Sequence, residues 1–220
     1  MERLEDLLIG GYKIYQDDEL YHFTSDAVLL SKFVRVKKND VVADFCSGSG
    51  IIGIHLYALN PIIKSVTLFE MQKQMFDLSL KSIEYNKLQD KITAENCKLQ
   101  DIPSSFNEQF SLITVNPPYM KAGEGSENEK ECISVCKREK TLSIEELAIA
   151  VSRCLKFGGR VNLVHRADRL VDVIFELKKH NLEPKRLQFV SSNGKSPYLF
   201  LLEAVKGGKS GLTVLNNAEN

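Results

Sequence analysis

The chain has no tryptophan among its 220 residues, and no sign of charge prevails, since 29 Lys and Arg meet 29 Asp and Glu. A balanced chain has no global positive field to draw it onto nucleic acid, so such a partner has to be held by a local patch. Long apolar runs are also missing: none approaches the roughly 20 residues that cross a bilayer. The opening MERLEDLLIGGYKIYQ has neither a charged-then-apolar signal nor a small-residue cleavage site. The expectation is a cytoplasmic protein with no membrane partner. Cys46, Cys97, Cys132, Cys136 and Cys154 are odd in number and include no Cys-x-x-Cys. Neither a disulfide framework nor a metal site is expected from them. Proline is scarce, yet two of the six prolines are adjacent, at Pro117 and Pro118.

That pair belongs to Asn116-Pro117-Pro118-Tyr119, which follows an apolar run, Phe110 to Val115, that reads as a buried strand. Two successive prolines fix φ near −65° and donate no backbone N–H. The carbonyls of Asn116 and Pro117 therefore leave the ladder and point elsewhere. Open α/β sheets bind ligands at the carboxyl ends of their strands. A carboxamide beside a bare carbonyl suits an NH₂ group, and Tyr119 offers a flat face on which a base can stack. The chemistry suggested is methylation of an exocyclic amine, although Asn-Pro and Pro-Pro are also ordinary loop punctuation.

A second motif lies upstream. Val41 to Cys46 is another short apolar run, followed by Ser47-Gly48-Ser49-Gly50 and a helical apolar pattern from Ile51 to Leu59. Glycines at 48, 50 and 53 permit positive φ and close approach of backbone to a ligand, at the amino terminus of a helix. The spacing also fits the dinucleotide fingerprint Gly-x-Gly-x-x-Gly, so it does not decide the cofactor. Ser65 to Glu70 then reads as a strand ending in a carboxylate twenty residues after Gly50. Such a carboxylate can accept from both hydroxyls of a ribose, or cap the next helix.

Between these motifs the pattern alternates strand and helix. A preamble, residues 1–38, reads as a hairpin and then a helix capped by Thr24 or Ser25, with Asp26 in its first turn. A helix from about Gln72 ends near Asn86, and a strand covers Ile92 to Cys97. Ser143 and Glu146 form a capping box for a helix that ends at Gly158-Gly159. A strand from Arg160 to His165, a helix from Asp168 to His180, and an antiparallel pair, Arg186 to Ser191 and Tyr198 to Val205, complete the order. The expected fold is α/β, a doubly wound, Rossmann-like, mostly parallel seven-stranded sheet with an antiparallel edge. The expected divisions are an extension over 1–38, a catalytic domain over 39–205, and a polar tail over 206–220 that is loose at its end.

Asp44-Phe45-Cys46-Ser47-Gly48-Ser49-Gly50, Glu70 and Asn116-Pro117-Pro118-Tyr119 together resemble the S-adenosylmethionine-dependent methyltransferases of exocyclic amino groups, over residues 40 to about 205. The segments Glu2 to Leu8, Ile14-Tyr15-Gln16 and Phe23 to Leu30 extend the resemblance to bacterial tRNA adenine-N6 methyltransferases that modify a valine tRNA next to its anticodon. The resemblance implies that Asp44 to Gly50, Cys46 and Gly48 included, line the methionine and ribose of the cofactor. It implies that Glu70 binds the ribose hydroxyls, and that Asn116, the Pro117 carbonyl and Tyr119 hold the base, with Asn116 also counted among the cofactor-binding residues. The family also has an aspartate after the third strand, against the cofactor adenine. Here Asn96-Cys97-Lys98 stands there, with Asp101 further on, which leaves that contact open.

Hydrogen bonds accepted from the NH₂ group by Asn116 and Pro117 would make the amine lone pair more available, and alignment would supply much of the acceleration. Candidate tRNA contacts are Asp26, Lys121, Lys137, Arg138 and Lys195, provided they converge in space; charge runs are more often solvated surface. Three other readings share parts of the pattern: an N-methyltransferase of protein glutamine or DNA adenine, an NAD-binding oxidoreductase built on Gly48, Gly50 and Gly53, and a catalytically silent nucleic-acid-binding module.

Overall fold

The structure, a computed structural model, describes residues 1–20, 25–118, 142–192 and 195–219. A hairpin of β1 (Glu2–Asp6) and β2 (Lys13–Asp17) opens the chain, and β2 turns Ile14 and Gln16 inward. Helix α1 (Ser25–Phe33) follows, then β3 (Val41–Phe45), α2 (Ile51–Leu59), β4 (Ser65–Glu70), α3 (Lys73–Tyr85) and β5 (Ile92–Asn96). The hairpin is fastened to α3 by side chains. The Tyr15 N–H donates to Ser82 Oγ at 2.9 Å, and Asn86, just past the helix, takes the Lys13 N–H at 2.9 Å and donates to the Lys13 carbonyl at 2.6 Å.

The return half comprises β6 (Phe110–Val115), α4 (Ile144–Cys154), β7 (Leu155–Arg166), α5 (Leu170–Lys179), β8 (Leu182–Ser191) and β9 (Leu199–Lys206). The expected capping box is present: Ser143 Oγ accepts from Glu146 N at 3.1 Å, and the Glu146 carboxylate accepts from Ser143 N at 2.8 Å. Helix α4 stops at Cys154, not at Gly158-Gly159. Those glycines fall inside the first residues of β7, where the pairing with β6 shifts register; a Cβ on Gly159 would lie 2.8 Å from the Lys156 carbonyl.

Strands run in the order β5-β4-β3-β6-β7-β9-β8, parallel except for β9, which lies antiparallel between β7 and β8. The fold class is the one expected, with two more strands than seven. β10 (Thr213–Val214) and β11 (Ala218–Glu219) pair in parallel with β8. The end of the tail is therefore not loose, since Ala218 and Glu219 pair with Val190 and Ser191; the tail covers the backbone groups of an edge strand that would otherwise face water, and Leu215 N donates to Leu187 O at 2.7 Å. One apolar layer joins α1, α2, the end of α3 and the hairpin to one face of the sheet; the other joins α4 and α5 to the opposite face. No helix among the described residues is long and apolar enough to cross a membrane.

Chain order and strand order reverse at β3. The chain leaves β3 outward through β4 and β5, then returns to place β6 on the other side. The carboxyl ends of β3 and β6 thus flank the switch point, where open α/β sheets hold their ligands.

Candidate active site

Phe45 and Val115 are paired in register, so Cys46 and Asn116 leave the sheet side by side. The loop from Cys46 to Gly50 turns tightly: Ser47 N donates to the Phe69 carbonyl of β4 at 3.1 Å, and Gly50 N donates back to the Ser47 carbonyl at 2.9 Å. Gly48 and Gly50 sit at φ of 56° and 88°, where side chains are strained. Gly53 lies within α2 and is glycine for a different reason from the one expected. Its space is occupied: a Cβ there would meet Leu68 Cδ2 at 2.4 Å. Cys46 adopts φ of 57° without being glycine. Burial, with Glu70 and Asp44 nearby, pushes its thiol well above the usual range.

Glu70, the last residue of β4, clamps this loop. Its Oε2 accepts from Gly48 N at 2.8 Å and its Oε1 from Gln72 N at 2.8 Å. Burial raises its pKa, against the backbone N–H groups of Gln72, Gly48 and Met71. The carboxylate therefore caps the start of α3 and holds the glycine loop together. Each oxygen has a further lone pair, so the two readings of Glu70 are compatible.

Asp44 is fully buried. Its Oδ2 accepts from Gly53 N at 3.0 Å and its Oδ1 from Thr114 Oγ1 at 2.7 Å. Burial raises its pKa to about 7, Thr114 and Gly53 oppose the shift, and Glu70 adds to it. Asp44 thus supports the loop from beneath, within the sheet, while Cys46, Ser47, Gly48 and Gly50 form the loop itself. Sequence reading missed Thr114, whose signal is a polar residue inside an otherwise apolar run. Ser47 lies inside the expected loop, and its Oγ is buried and has no partner among the described residues.

Asn116 is half-buried and Pro117 buried at the end of β6; Tyr119, Lys121, Lys137 and Arg138 lie outside the described residues. Of the residues considered after β5, Asn96 donates from Nδ2 to the carbonyls of Glu70 at 2.8 Å and Met71 at 3.1 Å, tying β5 to the end of β4. Cys97 is half-buried, and Lys98 and Asp101 are exposed beside it. Asp26 is half-buried in the first turn of α1, where its charge complements the helix dipole. Lys195 is exposed in the connection between β8 and β9. Elsewhere, Glu145, Glu176 and His180 bring ligand atoms within 4.8 Å of one another, but Lys179 Nζ lies 2.6 Å from Glu145 and 3.5 Å from Glu176.

The family model for the methyltransferase small domain matches residues 23–180. Two relatives carry the name tRNA1(Val) (adenine(37)-N6)-methyltransferase. The one from Shewanella woodyi is 25% identical over 203 residues, covering 88% of this chain and 82% of its own. The one from Dyadobacter fermentans is 24% identical over 157 residues, covering 71% of this chain and 63% of its own. Among solved structures, a predicted O-methyltransferase from Agrobacterium tumefaciens superposes with a TM-score of 0.70 at 20% identity, covering 88% of this chain and 86% of that one. M. jannaschii TYW2, solved with AdoMet, gives 0.64 at 13% identity over 92% of this chain and 84% of that one.

Proposed function

Because the chain belongs to the methyltransferase small domain family, we propose that it transfers a methyl group from S-adenosylmethionine to the exocyclic N6 of an adenosine in a valine tRNA. The nucleotide would be position 37, next to the anticodon, as in the names of its relatives. The observation that carries this reading is the pairing of β3 with β6, which sets the glycine loop and Asn116 at adjacent strand ends.

The residues present suit the cofactor. Two left-handed glycines bring backbone close to a ligand, Glu70 retains acceptor capacity for ribose hydroxyls, and the buried Ser47 hydroxyl lacks a partner among the described residues. Asp44 would act indirectly, by fixing the loop, and Cys46 would line it. When bound, S-adenosylmethionine supplies an electrophilic methyl group on a cationic sulfonium. Asn116 Oδ1 and the Pro117 carbonyl would accept hydrogen bonds from the adenine NH₂ group, orient its lone pair and draw electron density onto the nitrogen. Alignment of that kind contributes up to several kcal/mol to lowering a barrier. A dedicated general base is not needed, because a methylated aromatic ammonium is acidic and yields its proton to water. Tyr119 would stack on the base and partly offset the cost of drawing it out of the anticodon loop. The tRNA backbone would be held by Lys121, Lys137, Arg138 and Lys195, with salt weakening the complex steeply. A tRNA substrate assigns the reaction to the cytoplasm.

The test is methyl transfer from labelled S-adenosylmethionine into unmodified tRNA, with DNA and protein extract in parallel, followed by nucleoside digestion. Label recovered as N6-methyladenosine at position 37 of the valine tRNA is the expected result. Label confined to DNA or to glutamine in protein would keep the amine chemistry and overturn the substrate.

A further inference from the structure

We propose that Thr114 is a positioning residue that couples the strand end carrying Asn116 to the cofactor loop through Asp44. The inference rests on the reading of the chain as an S-adenosylmethionine-dependent enzyme. It concerns a side chain fully buried beneath the candidate site.

Strand β6 does not need a hydroxyl at this position. Phe110, Leu112, Ile113 and Val115 are buried apolar residues, and valine matches threonine in shape and in strand propensity. The other hydroxyl of the strand, on Ser111, is engaged at the opposite edge, where it donates to Asp40 Oδ1 at 2.7 Å and accepts from Val41 N at 3.0 Å. Thr114 is fully buried, and its best acceptor is Asp44 Oδ1 at 2.7 Å; the Ala43 carbonyl is 3.5 Å away. Among the described residues Asp44 has two such donors, Thr114 and Gly53 N, and Gly53 stands in the first turn of α2. The carboxylate therefore links β6 to the start of the helix that closes the glycine loop. Asn116 follows Thr114 by two residues and Cys46 follows Asp44 by two, so the link lies one pleat beneath the reacting edge.

A further observation puts Thr114 in a polar row rather than an isolated contact. Asn162, its register partner on β7, is fully buried, and neither polar atom of its side chain has a partner among the described residues. Asp44, Thr114 and Asn162 thus cross three strands inside an apolar layer. A buried polar group that loses its donor bears its full desolvation cost. Removing the Thr114 hydroxyl strips Asp44 Oδ1 of its donor, weakens the anionic form, and frees the first turn of α2 to shift. Among the described residues, the titratable groups facing Asp44 are Glu70 from β4 and Cys46 in the loop; α2 contributes the Gly53 N–H and β6 the Thr114 hydroxyl.

Thr114→Val tests the link, with Thr114→Ser as the conservative rescue. The first readout is equilibrium binding of S-adenosylmethionine by calorimetry between pH 5.5 and 8.5, without tRNA. Thr114→Val should weaken binding about tenfold at pH 7, the loss expected for one hydrogen bond to a charged group. The pH at which affinity is half-maximal should move upward, because the hydroxyl bond holds the Asp44 pKa down. Thr114→Ser should restore both. In an Asp44→Asn background, Thr114→Val should change affinity less than threefold. If Thr114→Val folds too poorly to assay, a Thr114→Ser variant that fails to bind like the wild type overturns the inference. So does a folded Thr114→Val variant with unaltered affinity and pH profile. A wild-type chain that does not bind S-adenosylmethionine overturns the functional reading, and this inference with it.

Discussion

Strand β3 has a buried carboxylate at each end, and the two are served differently. At the amino edge, Asp40 faces the guanidinium of Arg160 at 2.6 Å, with the Lys37 N–H and the Ser111 hydroxyl completing its shell. Arg160 also donates to the Arg35 carbonyl. At the carboxyl edge, Asp44 receives neutral donors, and Glu70 beside it adds a second carboxylate bonded to backbone N–H groups. One edge is neutralised within the chain. The other keeps buried negative charge with no cation beside it among the described residues, an arrangement that costs the free protein stability and favours a positively charged ligand. The sulfonium of S-adenosylmethionine is such a ligand, and it loses its charge when the methyl group leaves.

The largest effect should come from breaking the carboxyl edge at its reacting end. Asn116→Ala removes the acceptor assigned to the amine, and methyl transfer should fall roughly a thousandfold, the upper range for one preorganised polar group. Because Asn116 is assigned to the amine and only lines the cofactor beside it, affinity for S-adenosylmethionine measured by calorimetry should change less than threefold. A parallel collapse of cofactor binding would remove Asn116 from the base cradle. The amino edge should respond in the opposite way. Arg160→Ala leaves Asp40 buried without its cation and should cost about 3 kcal/mol in chemical denaturation, while the cofactor dissociation constant of the folded fraction stays near that of the wild type. A variant that folds normally and binds cofactor poorly would erase the distinction between the edges.

A smaller effect tests the charge at the carboxyl edge. The pKa of Asp44 is raised in the folded protein to about 7, from an ordinary value near 4 in the unfolded chain. The folded state therefore holds this proton more tightly, so the associated stability is present below about pH 4 and is lost as pH rises through about 7. Asp44→Asn cannot titrate. Relative to the wild type, its melting temperature should improve steadily from pH 5 to pH 8. Parallel curves would show that Asp44 is not a buried, uncompensated acid.

The sequence made local features readable and long-range partners invisible. Ser65 to Glu70 and Phe110 to Val115 have the boundaries expected of them, because each is an apolar run with a polar stop. Strand β8 begins at Leu182, earlier than Arg186, because Pro184 interrupts the pattern at a place where the pairing with β9 shifts register. The tail strands span two residues each and have no periodicity to detect. At the site, glycine spacing and Asn-Pro-Pro could be read directly. The inward turn of Asp44 could not, since its partner lies 70 residues away, and the Asp40–Arg160 pair spans 120. Gly53 illustrates the same limit: its spacing suggested a glycine that lets backbone approach a ligand, whereas the side chains of β4 require it to lack a Cβ.

Cys46 offers the finest test of how the loop is built. It holds φ of 57° between a strand and two left-handed glycines, and it is half-buried. A left-handed conformation costs an L-residue about 1–2 kcal/mol, and glycine escapes that cost. Glycine also has more freedom to lose on folding, about 0.5–1 kcal/mol, which offsets part of the gain. Cys46→Gly should therefore stabilise the chain by less than about 1 kcal/mol, since the relief exceeds the added entropy cost only slightly. Cys46→Val should destabilise it by more than that, because a β-branched side chain fits positive φ worst of all. Denaturant midpoints for the pair decide the matter. If both variants shift stability the same way, thiol packing and not backbone conformation governs the position, and the loop's shape would then be set by Glu70 and Asp44 alone.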